Sequence, residues 1–289
     1  MKALIIGASG QVGGALSALC VRRRIEVYGT SRHGQGFLSL DLEDPASVVS
    51  AFERAAPGVV FLCSAMTNVD ACERSAALAG RVNAEGPALV AEQCRKAGSK
   101  LVYFSTEYVF DGAAGPYGED DLVNPVSVYG RTKLEGERAA LALDGALAVR
   151  TTVVYSHNPA SRNFIMQLIS NHRSGARMRV PSDQFSTPTY APELAAAVLD
   201  LAEKGASGVY NVVGPDWLSR YEFALKACAA FGFAPDFIEP RLTAELGQAA
   251  ARPLKAGLKT DKLLKTLGRA LPPAEESLRK IAAVMKQYE

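Results

Sequence analysis

The stretch "KALIIGASGQVGGALSALCVRR" (2–23) decides the fold. "KALIIG" (2–7) reads as a buried strand, and "QVGGALSALCVRR" (11–23) spaces its apolar residues as a helix does. Between them, "GASGQVG" sets Gly7, Gly10 and Gly13 directly after the strand and at the start of the helix. Glycines at such a junction let backbone approach a pyrophosphate, while the helix N-terminus offers free N–H groups and a positive dipole end. The spacing is GxxGxxG, not GxGxxG, and by itself it also fits a tight strand-to-helix turn that needs glycine only for packing.

The same rhythm continues outward. Strands are predicted at "IEVYGTS" (25–31), "GFLSLDL" (36–42), "GVVFLCSA" (58–65), "KLVYFST" (100–106) and "ALAVRTTVVY" (146–155). Helices are predicted over 45–55 with Pro45 at the start, over about 75–97, and over 127–143. Continuous apolar strands alternating with helices indicate a parallel sheet covered on both faces. The expected class is α/β: a Rossmann-type doubly wound parallel sheet formed by residues 1–156, with return segments at about 190–212. Residues 157–289 mainly supply a smaller C-terminal lobe. There "NFIMQLI" (163–169), 192–204 and 219–232 read as helix and "GVYNVVG" (208–214) as strand, with Ser219 a candidate N-cap three residues before Glu222.

Composition narrows the function. The 289 residues carry 32 basic and 30 acidic side chains, a net charge of +2 that argues against a nucleic-acid partner. The N-terminal apolar run ends at Gly7, too short for a signal-peptide core or a membrane span. The five cysteines are odd in number and form no CxxC pair, which reads as buried reduced thiols and no metal site. A cytoplasmic protein without a membrane association is expected.

The second strand ends in "GTSRHG" (29–34). Ser31 and Arg32 stand where an acid would favour NAD, and an Arg there favours the 2′-phosphate of NADP, although a strand-end Arg is also often merely solvated. Asp41 and Leu42 could cover the adenine, or Asp41 could simply end a strand. Farther on, "VYGRTKLEGE" (128–137) sets Tyr129 and Lys133 four residues apart, hence neighbours on a helix. A phenol has a reference pKa of roughly 10. A nearby ammonium is expected to lower it, so that Tyr129 can donate a proton to a carbonyl oxygen as hydride reaches the carbon. Lys133 can also hold the nicotinamide ribose, and a hydroxyl at Thr106, or Ser105 beside it, can hydrogen-bond the reacting oxygen.

With these residues in place, the chain resembles an extended short-chain dehydrogenase/reductase. More closely it resembles the dTDP-4-dehydrorhamnose reductase family, which includes the regulatory β subunit of methionine adenosyltransferase. The resemblance runs through "AMTNVDACE" (65–73), "VNAEGPALVAEQC" (82–94), "FSTEYVFDG" (104–112), "PYGEDDLVNPVSVYGRTKLEGE" (116–137), "DQFSTPT" (183–189) and "ARPLKAGL" (251–258). It implies that Tyr129 is the proton donor, with Lys133 its partner and Thr106 assisting. It also implies that Gly10, Gln11 and Val12 line the pyrophosphate, with Gly7 in the same loop, and that Ala65, Met66, Thr67 and Phe104 border the cofactor. Glu107, where the family usually has Asp, would lie near the sugar, with Gln184 and Thr187 as further substrate candidates. Asn83 reads as structural. Val153 stands at the family's sugar-facing Trp, Lys255 replaces an Asn, and Ala15 stands where some members have a Glu at a metal-linked dimer contact.

The resemblance therefore implies an NADP(H)-dependent, or NAD(H)-dependent, reductase of a nucleotide-linked 4-keto-6-deoxy sugar, with dTDP-rhamnose biosynthesis as the setting and a homodimer as a candidate assembly. A non-catalytic NADP-binding regulatory subunit and a nucleotide-sugar epimerase or dehydratase are the competing readings.

Overall fold

A computed structural model describes residues 2–34, 36–158 and 161–285. The central strands are β1 (Lys2–Ile6), β2 (Glu26–Ser31), β3 (Leu38–Ser39), β4 (Val59–Leu62), β5 (Lys100–Thr106) and β6 (Leu147–Thr151), joined by a seventh, Gly208–Asn211. From one edge the order is Gly208–Asn211, β6, β5, β4, β1, β2, β3, with every pairing parallel. The order reverses at β1, which creates a crevice at the C-terminal ends of β1 and β4. Ala3 through Ile6 are all buried, as a strand covered on both faces requires. Ala3 and Ile5 enter one core, Leu4 and Ile6 the other.

Helices fill both layers. They are α1 (Gln11–Arg22), α2 (Pro45–Ala55), α3 (Val69–Arg74), α4 (Ala76–Gly80), α5 (Gly86–Ala97), α6 (Val128–Leu141), α7 (Phe164–Ser174), α8 (Ala191–Glu203), α9 (Arg220–Phe231), α10 (Asp261–Leu267) and α11 (Ala274–Met285). Leu16 and Cys20 of α1 meet Leu194 and Val198 of α8 on one face, while Val48 and Phe52 of α2 meet Val90 and Cys94 of α5 on the other. A third core gathers Tyr155, Ile165, Phe223, Leu278 and Ile281. Around it, Thr189–Tyr190 pairs with Val154–Tyr155, Leu218–Ser219 with Phe185–Ser186, and Ile238–Arg241 with Met178–Pro181. Among the described residues no helix is long and apolar enough to cross a membrane.

Three predicted elements differ in form. The helix over 75–97 is interrupted by a π-helical turn, Arg81–Glu85, in which Asn83 turns its amide away from the helix to the Met66 backbone. The strand over 146–155 breaks because Val153 adopts φ +44°, a left-handed conformation that ends β6 two residues earlier. Of 36–42, only Leu38–Ser39 pairs with β2.

Candidate active site

A cleft of about 520 Å³ opens at the C-terminal ends of the central strands. Gly7, Gly10, Gln11, Val12 and Gly13 border it where β1 turns into α1. Gly7 has φ +90°, and a Cβ there would lie 2.9 Å from the Ser64 amide nitrogen; one on Gly13 would lie 2.2 Å from the Gly7 carbonyl oxygen. Gly10 caps α1 with no side-chain bond, so the first-turn amides have neither an intrahelical nor a side-chain acceptor. This donor-rich cradle fits the pyrophosphate of a dinucleotide. Ala65, Thr67 and Phe104 also line the cleft.

Met66 does not; its N–H donates to Asn83 Oδ1 at 2.8 Å and its carbonyl accepts from Asn83 Nδ2 at 3.0 Å. Asn83 therefore shapes the segment after β4 without facing the cleft. Ser31, Arg32, Asp41 and Leu42 lie outside the lining too. Arg32 pairs with Asp41 at 3.4 Å, Ser31 Oγ donates to the Gly34 carbonyl at 3.0 Å, and Leu42 is buried in the core shared with α2 and α5.

Ser127 caps α6 by accepting from the Gly130 amide at 3.2 Å, and the helix then carries Tyr129 and Lys133 into the cleft. Both are buried. Lys133 Nζ donates to the Phe104 carbonyl oxygen at 2.6 Å and sits 4.2 Å from the centre of the Tyr103 ring. Burial pulls the ammonium down to about 7. Tyr129 meets Tyr108 edge-on at 5.4 Å. The expectation that Lys133 lowers the phenol is corrected here. Burial raises Tyr129 above its ordinary value, a contact with the Thr106 hydroxyl opposes this only in part, and the ammonium is directed at a backbone carbonyl. Thr106 ends β5, and its Oγ1 accepts from the Tyr108 amide at 3.2 Å.

Glu107, Gln184 and Thr187, expected near the sugar, do not line the cleft. Glu107 Oε1 accepts from Thr152 Oγ1 and from Ser186 Oγ, each at 2.5 Å, and Oε2 from the Gly257 amide at 2.8 Å. Burial raises this carboxyl, and the hydroxyl donors oppose the shift. Gln184 Nε2 donates to Thr243 Oγ1 and Gln248 Oε1, both at 3.0 Å, and Thr187 Oγ1 accepts from the Leu258 amide at 3.3 Å. Their polar groups are thus occupied in holding segments together. Val153 does line the cleft.

Sequence reasoning missed Ser9, Ser64, Tyr108, Thr152 and Arg220, all in the lining. Tyr108 lay in plain view inside "FSTEYVFDG". Arg220 had one local signal: a cation in the first turn of a helix, where the dipole disfavours it.

The family described as "RmlD substrate binding domain" matches residues 1–287. The chain belongs to this family. Among relatives of this RmlD-family chain, a dTDP-4-dehydrorhamnose reductase of Streptomyces griseus is 35% identical over 86% of this chain and 83% of its own. A Sinorhizobium fredii protein of the same name is 33% identical over 97% of this chain and 96% of its own. The structure of the dTDP-4-dehydrorhamnose reductase from Clostridium acetobutylicum superposes with a TM-score of 0.89 at 32% identity, covering 99% of this chain and 100% of that one. The Bacillus anthracis counterpart, solved in complex with NADP, gives a TM-score of 0.89 at 29% identity, covering 98% and 100%.

Proposed function

We propose that the chain is an NADPH-dependent reductase of a nucleotide-linked 4-keto-6-deoxy sugar, of the dTDP-4-dehydrorhamnose type. The observation that carries this reading is the continuity of one cleft from the glycine turn before α1 to Thr106, Tyr129 and Lys133. Relatives that bear the reductase name, and the NADP held by the Bacillus anthracis counterpart, support it.

NADPH, when bound, supplies the hydride. In this reading Gly7, Gly10, Gln11 and Val12 receive the pyrophosphate, Arg32 favours the 2′-phosphate, and Asp41 and Leu42 flank the adenine. Ala65, Thr67 and Phe104 border the rest, while Met66 is held behind them by Asn83. Tyr129 gives its phenolic proton to the sugar carbonyl oxygen, and its raised pKa keeps that proton in place at neutral pH. Thr106 hydrogen-bonds the same oxygen. Lys133, fixed on the Phe104 carbonyl, holds the nicotinamide ribose. Val153 borders the sugar, while Glu107, Gln184 and Thr187 shape its surroundings from behind. Residues 1–156, with α8 and the strand Gly208–Asn211, form the cofactor half, and most of 157–289 the substrate half. A homodimer and a cytoplasmic location belong to the same reading; the free state of all five cysteines supports the latter.

The test is steady NADPH oxidation with a panel of nucleotide 4-keto sugars that includes dTDP-4-dehydrorhamnose. Turnover of at least one is the expected result. Binding of NADPH with no turnover of any would point to a regulatory subunit, and a tightly retained nicotinamide with no net oxidation to an epimerase.

A further inference from the structure

Arg220 opens α9 and faces the cleft, half-buried. Its guanidinium stands 5.6 Å from the centre of the Phe164 ring, and among the described residues no side chain or carbonyl accepts a hydrogen bond from it. Glu107, the acid whose charge acts on it, and Asp70, the partner of the neighbouring Arg252, are both engaged elsewhere. Glu107 uses both oxygens on Thr152, Ser186 and the Gly257 amide. Asp70 accepts from Arg252 Nη2 at 2.9 Å and from the Ala250 amide at 3.0 Å.

This cation is also badly placed for the protein alone. It sits at the positive end of the α9 dipole, where a like charge is unfavourable. Burial and the charge of Arg252 both work against its protonated form, with Glu107 and Tyr108 giving only partial relief. Stacking on Phe164 does not account for the position, since an Arg on the outer surface could stack equally well on an exposed ring. What the cleft adds is access for a ligand. An incoming anion would supply the missing acceptors, and a guanidinium is shaped for two parallel bonds to a phosphate or carboxylate.

We propose that Arg220 anchors an oxyanion of the substrate inside the cleft: a phosphate of the nucleotide or a carboxylate on the sugar. The nucleotide-sugar identity rests on the reading above; the anion site rests on Arg220 itself. Wild type, Arg220→Met and Arg220→Lys, each saturated with NADPH, are titrated calorimetrically with dTDP and thymidine, and with UDP-glucuronic acid and UDP-glucose. The Met variant keeps the aliphatic stem against Phe164 and removes the charge.

If the anchored group is a phosphate, Arg220→Met weakens dTDP at least about tenfold, weakens both UDP-sugars alike, and leaves thymidine unchanged. If it is a carboxylate, only UDP-glucuronic acid is weakened. In either case Arg220→Lys recovers part of the loss. A Met variant that binds dTDP and UDP-glucuronic acid within about twofold of wild type overturns the proposal, as does a wild-type protein that binds neither. Unfolding midpoints confirm that both variants fold. Binding of dTDP without oxidation of NADPH by any keto sugar would sink the reductase reading and leave the anion site standing.

Discussion

The Lys133 ammonium and the Phe104 carbonyl, 29 residues apart, are joined by a 2.6 Å hydrogen bond that ties α6 to the end of β5. The bond fixes the cation on β5 but does not remove the cost of burying it. Burial brings Lys133 from 10.5 to about 7 in the folded protein. Between those values the unfolded chain binds more protons than the native one, so this group makes stability rise with pH, and its penalty is full below about 7. The Lys133→Met variant is therefore expected to show its most favourable unfolding midpoint, relative to wild type, near pH 6, with the advantage shrinking towards pH 9. Midpoint differences that do not change with pH would contradict the depressed ammonium.

Replacing Tyr129 by Phe removes one buried oxygen and leaves the ring against Tyr108. NADPH affinity is expected to stay near wild type while turnover of a confirmed keto sugar falls at least on the order of a hundredfold, the scale of general acid catalysis. Near-normal turnover in stopped-assay kinetics would remove Tyr129 from the proton-donor role.

Arg32 is more than half exposed and pairs with Asp41 across 3.4 Å. An exposed pair of this kind is worth little to stability, about 0–1 kcal/mol. The side chain is free to turn to a 2′-phosphate. Arg32→Ala is expected to weaken NADPH selectively and to leave NADH affinity and the unfolding midpoint almost unchanged. Equal losses for the two cofactors in fluorescence titrations would count against the assignment.

Glu107→Ala would strip acceptors from Thr152, Ser186 and the Gly257 amide at once. Each buried donor left unsatisfied costs about 1–3 kcal/mol. A loss of at least about 2 kcal/mol in urea unfolding is expected even after the hydroxyls find one another, since Thr152 and Ser186 lie 3.1 Å apart. A stability unchanged from wild type would mean that the carboxylate ties nothing together.

The sequence carried the sheet well because its evidence is local: "KALIIG" is apolar on both faces, and glycines can be counted at the β1–α1 turn. Tyr129 and Lys133 were legible for the same reason, as neighbours one helical turn apart. The direction of Lys133 was not, because its acceptor is a backbone carbonyl on another element. The family resemblance implies that Glu107 is a substrate-side acid, yet its donors come from residues 152, 186 and 257, whose approach has no mark in the local pattern. Val153 shows the converse: its letters continue a strand, and only its positive φ reveals that the chain turns there.

The bond from Gly257 to Glu107 spans 150 residues and sets an order of events for the newborn chain. Synthesis proceeds from the N-terminus, so β1 through β6 can emerge and begin to assemble while residue 257 is still unmade. Until then the carboxylate at position 107 lacks one of its three donors and must keep water. The crevice for the dinucleotide can take shape early. The wall behind Thr106 dries out and hardens only once residue 257 has been made and has folded back, so a chain cut short before that residue would hold a sheet that is largely formed beside a corner that is still wet.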